Sequence, residues 1–159
     1  MKIAIVGAAY TGRAAALYFR NMGHSVSVST TRQERTTELA EVANHIVVMK
    51  GSDSAAMENL IRDADVVLLS MAGGLGVKDG KPYMDPVAYR DSYVGTADGL
   101  IAALPAAPKL RQIIFCSSMN AYGDANGVNP VNENTPANAA SPAAQVFIEA
   151  EQKLSALET

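Results

Sequence analysis

Five short runs rich in β-branched residues recur along the chain: KIAIVG (2–7), SVSVST (25–30), HIVVMK (45–50), DVVLLS (65–70) and RQIIFC (111–116). Stretches such as IAIV, IVV and VVLL are continuous rather than alternating, the pattern of strands covered on both faces in a parallel sheet. Between them, apolar positions return every three or four residues, which predicts helices over 11–22, 32–42, 53–63, 86–104 and 141–158. Strand and helix alternating in this way, with right-handed crossovers, predict a doubly wound α/β sheet of Rossmann type, its five strands in the order 3-2-1-4-5. The long connections 71–85 and 117–140 follow the fourth and fifth strands at their carboxyl ends, where open α/β sheets bind ligands, and are expected to be irregular loops.

Composition narrows this picture without redirecting it. A chain of 159 residues, 48% hydrophobic and 18% charged, is one globular domain spanning 1–159. With 13 basic and 16 acidic side chains and no run of Lys or Arg, it lacks the electrostatic footprint of a nucleic-acid binder. The single cysteine, Cys116, cannot form an internal disulfide and, ending the fifth strand, is expected to be a buried structural thiol. His24 and His45 lie apart beside predicted strands and suggest no metal cluster. The apolar start breaks at Thr11, Gly12 and Arg13, too early for a signal segment, and no run approaches the ~18 residues of a membrane span. A cytoplasmic protein is expected.

The first strand opens into GAAYTG, with Gly7, Ala9 and Gly12 at the three positions of G-x-G-x-x-G. In that motif the first glycine permits a tight turn, the second lets backbone approach a pyrophosphate, and the third lets the helix pack close to the strand. Ala9 adds a methyl group where the phosphate would approach. Tyr10 and Thr11 lie in the same turn, Tyr10 placed either to cover the phosphates or to pack on the helix. At the end of the second strand, where NAD-preferring proteins carry an acidic residue, the chain reads Ser29, Thr30, Thr31, Arg32. Hydroxyls and a guanidinium suit a 2′-phosphate, so the expected cofactor is NADP, with NAD second. Thr31 also fits the N-cap of the second helix, and Asp53 either caps the third helix or meets an adenine amino group.

The segments GAAYTG, DADVVLLSMA, YVGTADGLIAAL and IIFCSSMNAYGD together resemble the extended and atypical short-chain dehydrogenase/reductases, relatives of sugar-nucleotide epimerases. The resemblance implies that Ser118 occupies the position of the catalytic Ser/Thr, four residues before Tyr122. It also implies that Ser70, Met71 and Ala72 lie along the nicotinamide-side ribose. The bland reading of Ser117 and Ser118 is that they cap the strand end.

The acid/base pair of that family is Tyr-x-x-x-Lys on the helix after the fifth strand. Registering the present helix on Glu149 to Glu151 puts Ser141 and Gln145 at those positions. Gln145 can hydrogen-bond a ribose hydroxyl, but it cannot activate a serine as a base would. A helical wheel gives a core stripe of Ala143, Phe147, Ala150, Leu154 and Leu157, with Ser141, Gln145, Ile148 and Gln152 on another face. Tyr83, Tyr89, Tyr93, Tyr122, Lys81 and Asp124 lie in or near the long loops, and loop packing or solvent exposure is the favoured reading of each.

Family members also continue into further strands and a substrate region, so a substrate pocket is expected to come from another chain or be absent. A bare fifth strand invites pairing, hence a homodimer through that edge or through the 86–104 and 141–158 helices. Three readings stay open: a dinucleotide-binding protein without the standard pair, an active NADP-dependent oxidoreductase or epimerase using Ser118, and an interaction module with an empty nucleotide site.

Overall fold

The computed structural model describes residues 1–123 and 130–157. Its main sheet is parallel: β1 (Lys2–Val6), β2 (Ser25–Thr30), β3 (His45–Val48), β4 (Val66–Leu69) and β7 (Gln112–Phe115), in the order β3-β2-β1-β4-β7. This is the predicted Rossmann topology. β1 shows why the apolar runs are continuous, since Ile3 and Ile5 face one core with Ala16, Val26, Val28 and Leu39. Ala4 and Val6 face the other, with Met57, Ile61, Val67 and Leu100. A strand buried on both sides has no polar face to alternate with.

Helices α1 (Tyr10–Asn21) and α3 (Ser54–Ile61) fall within a residue or two of their predicted spans. The second helix is much shorter than predicted: a 3₁₀ turn over Gln33–Arg35 leads into α2 (Thr36–Leu39). Two adjacent β-branched threonines oppose helix there, and the Thr36 hydroxyl donates to the Gln33 carbonyl. The 86–104 helix is three segments, α4 (Pro86–Arg90), a π turn (Asp91–Gly95) and α5 (Thr96–Ala103). Ser92 and Thr96 each donate their hydroxyl to the carbonyl four residues back, at 2.8 and 2.7 Å, the kind of competing bond that distorts a helical ladder.

The 71–85 connection, expected to be irregular, contains an antiparallel hairpin, β5 (Leu75–Lys78) with β6 (Lys81–Met84). Asp79 and Gly80, both at positive φ, form its two-residue turn, and the D-G pair was its signal in the sequence. Leu75 and Val77 on the hairpin are 67% and 76% exposed.

α6 (Pro142–Ser155) starts one residue later than predicted, because Ser141 is its N-cap and Pro142 its first residue. Its buried positions are Ala144, Val146, Phe147, Ile148 and Ala150. Ile148 therefore belongs to the core and not to the polar face assigned by the wheel. Phe147 meets Tyr93 and Tyr89 at ring-centroid distances of 4.5 and 6.0 Å, and the Arg90 guanidinium grips Glu149 through two bonds of 2.5 and 2.7 Å. β7 pairs on one side only, leaving Ile114 40% exposed, and Cys116 just beyond it is exposed rather than buried. Among the described residues no further strand lies beyond β7 to cover that thiol. Among the described residues no helix is long and apolar enough to cross a membrane.

Candidate functional site

A cleft of about 860 Å³ opens at the carboxyl ends of β1, β2, β3 and β4. Gly7, Ala8 and Ala9 form its floor, Thr30, Thr31, Arg32 and Arg35 one wall, and Met71 to Gly74 with Asp91 and Ser92 the other. It lies at the switch point where the chain leaves β1 for β2 on one side and β4 on the other.

The turn after β1 depends on its glycines. Gly7 has φ +90, and a Cβ there would stand 2.6 Å from the Met71 Cα; a Cβ at Gly12 would collide with the Gly7 carbonyl oxygen. Each backbone polar group of Gly7 and Ala8 has a partner. The Gly7 N–H donates to Ser29 Oγ (3.0 Å), Ser70 Oγ donates to the Gly7 carbonyl (3.3 Å), and the Ala8 N–H donates to the Ser29 carbonyl (2.8 Å). Arg35 Nη1 donates to the Ala8 carbonyl at 2.7 Å. α1 then begins with Ala9 as N-cap, no side chain capping it and no acidic residue in its first turn. The start of α1, next to the cleft-lining Ala9, therefore has no side-chain acceptor for its first N–H groups, the arrangement that suits an anion.

The candidates drawn from the sequence separate into two groups. Gly7, Ala9, Thr30, Thr31, Arg32, Met71 and Ala72 line the cleft, and Gly12 supports it from behind. Arg32 is exposed and has no ion-pair partner among the described residues. Ser70 is buried under Gly7 and acts on the turn rather than on the cleft. Asp53 caps α3 by accepting from the Ala56 N–H at 3.0 Å, and Met49 to Ser52 line the cleft in its place. Tyr10, 94% exposed, neither packs on α1 nor lines the cleft, and Thr11 also lies outside the lining.

The residues of the catalytic positions are engaged locally. Ser118 Oγ accepts from the Asn120 N–H at 3.2 Å as N-cap of a 3₁₀ turn over Met119–Tyr122, and Ser117 donates to the Glu151 carboxylate. Ser141 Oγ accepts from the Ala144 N–H at 3.2 Å. Gln145 Nε2 donates to the Ala139 carbonyl at 2.5 Å, so its amide is turned to its own loop and not to the cleft. Tyr89 and Tyr93 are core residues; burial pushes both phenols up, Tyr93 to about 12. Lys78 lies over the exposed Tyr83 ring, 5.3 Å from its centroid and away from the cleft lining. Lys81 shares that hairpin, Tyr122 is half-buried, and Asp124 lies outside the described residues.

Arg35 escaped the sequence reading altogether. Besides Ala8 it holds Glu38 through Nε and Nη2 (3.1 and 2.9 Å), and Arg13 reaches the same carboxylate at 3.0 Å. The Glu38 bond raises the Arg35 pKa, and Arg35 lowers that of Glu38. An R-x-x-E spacing was its only local sign.

Residues 3–152 match the family model described as NAD dependent epimerase/dehydratase family. Among solved structures, a short-chain dehydrogenase/reductase superfamily protein from Agrobacterium tumefaciens with bound NAD superposes with TM-score 0.72 at 24% identity, over 97% of this chain and 44% of its own. UDP-glucose 4-epimerase from Thermotoga maritima, with UDP-glucose, gives 0.78 at 19% identity, over 98% and 50%. TunA, an NAD-dependent NDP-hexosamine 5,6-dehydratase of tunicamycin biosynthesis, gives 0.76 at 19%, over 99% and 50%. The chain thus spans about half the length of these structures. No curated protein matches it in sequence.

Proposed function

We propose, on the premise that this chain belongs to the NAD dependent epimerase/dehydratase family, that its cleft binds a nicotinamide dinucleotide, NADP(H) in preference to NAD(H), without the standard tyrosine–lysine acid/base chemistry. The observation that carries the reading is the turn itself: Gly7 and Gly12 let the Met71 backbone and helix α1 close on the strand end, where a Cβ would clash, and α1 begins without a side-chain cap at Ala9, which lines the cleft. The pyrophosphate would lie on the α1 N–H groups, Thr31 and Arg32 would take the adenosine ribose with its 2′-phosphate, and Met71 and Ala72 would follow the nicotinamide-side ribose. When bound, such a cofactor supplies hydride transfer. Ser118, Ser141 and Gln145 have their polar atoms on their own backbone, which favours a binding role over turnover by this chain alone. A reducing cytoplasm and self-association through the β7 edge complete the reading.

Calorimetric titration with NADPH and NADH in parallel tests it, since the chain has no Trp for a quenching assay. Micromolar binding with NADPH tighter than NADH is expected. Equal affinities would remove the NADP preference, and no heat with either would leave the interaction-module reading.

A further inference from the structure

We propose that Arg35 is a positioning residue for dinucleotide binding: by holding the Ala8 carbonyl it fixes the Ala8–Ala9 peptide with the Ala9 N–H presented toward the cleft. The inference rests on the dinucleotide reading above. In a trans peptide the carbonyl and the following N–H point in opposite directions, so the partner of one sets the aim of the other. With Ala8 O bonded to Arg35 Nη1 at 2.7 Å, the Ala9 N–H is turned away from Arg35. If the peptide rotated, a carbonyl oxygen would point where an anion is to sit.

Three features make Arg35 suited to this task. Its side chain is only 15% exposed, and Glu38 fixes the guanidinium plane through two further bonds. Of its five N–H donors three are thereby engaged, so the fork reaches the carbonyl without giving up the carboxylate. Ser29 holds the two preceding peptides from the end of β2, through the Gly7 and Ala8 N–H groups. Arg32, three residues earlier, makes no such side-chain bond among the described residues and lies on the cleft wall, so the two arginines divide the work: Arg32 for the 2′-substituent, Arg35 for the turn that any dinucleotide meets.

The test compares Kd for NADH and for NADPH across wild type, Arg35→Met, Arg35→Lys and Arg32→Met. Arg35→Met keeps the aliphatic stem and should weaken both dinucleotides by the same factor, about tenfold, the scale of one hydrogen bond to a charged group. Arg35→Lys, which can still donate to the carbonyl, should recover part of the loss, and Arg32→Met should weaken NADPH alone. The amide resonance of Ala9 should move in the unliganded Arg35→Met protein, a readout that general destabilisation would not single out. Unchanged affinities in the folded Arg35 variants would overturn the proposal. So would a loss confined to NADPH, which would make Arg35 a 2′-phosphate contact. A wild type that binds neither dinucleotide would instead overturn the functional reading itself, together with this one.

Discussion

Three polar side chains around the β1–α1 turn and three at the catalytic positions inferred from the sequence bind backbone over very different distances. Around the β1–α1 turn, Ser29, Ser70 and Arg35 bind Gly7 and Ala8 across 22, 63 and 27 residues of sequence. Around β7 and α6, Ser118, Ser141 and Gln145 bind backbone 2, 3 and 6 residues away. The first set exists only when the sheet is assembled and so gives the cleft its shape. The second set ends or starts single segments and asks nothing of the rest of the fold. Similar residue types thus build the cleft turn in one set and serve local structure in the other.

The strongest challenge to that contrast is Phe147→Ala. Removing a ring packed on Tyr89 and Tyr93 should cost about 3–5 kcal/mol in denaturant unfolding. Dinucleotide affinity should nonetheless survive wherever the variant is folded; a folded variant that cannot bind would show the α6 side to be part of the site. Gly12→Ala should do the reverse. Its new methyl meets the Gly7 carbonyl, a backbone atom that cannot step aside, so a loss of about 1–3 kcal/mol should come with near-abolition of binding in calorimetry. Ser141→Ala should cost about 1 kcal/mol, the worth of an N-cap, and leave both Kd values where they were.

The smallest effect is confined to alkaline pH. The Tyr93 phenol is raised from 10.0 to about 12 by burial, with its Tyr89 neighbour adding to the shift. A raised folded pKa means that the unfolded chain loses its proton first. Stability should be unaffected below pH 10 and fall as pH rises from there to about 12. Tyr93→Phe should flatten that slope and remove the last-titrating phenol from an ultraviolet absorbance titration. A titration identical to wild type would show that Tyr93 is not the shielded group.

Fold was more legible than site. The runs around β1 and β4 announce themselves because both faces of each strand are buried. The β5–β6 hairpin was missed because its residues are mostly exposed and its apolar positions are broken by Gly76 and Pro82, although Asp79–Gly80 stood in plain view. Ile148 was misassigned because a wheel gives α6 a single apolar stripe, whereas its buried positions extend beyond one. Gly7, Ala9 and Arg32 could be read from their motif, and the structure brings them to one cleft. Arg35 could not, since its partner Ala8 is brought near only by the pairing of β1 with β2. Nor could the orientation of Gln145, which depends on the preceding loop bringing Ala139 within reach of its amide.

The strand order has a consequence for how the protein is made. β1 is translated before the other four strands and lies at the centre of the sheet; β2 and β3 extend it on one flank before β4 is translated. A nascent chain can therefore lay down three neighbouring strands early, as domains fold during synthesis. The opposite wall of the crevice arrives only with β4 and the Met71–Gly74 segment. Until then a small molecule has nothing to be gripped between, so added ligand should protect the finished protein from proteolysis but not arrested chains that stop short of β4.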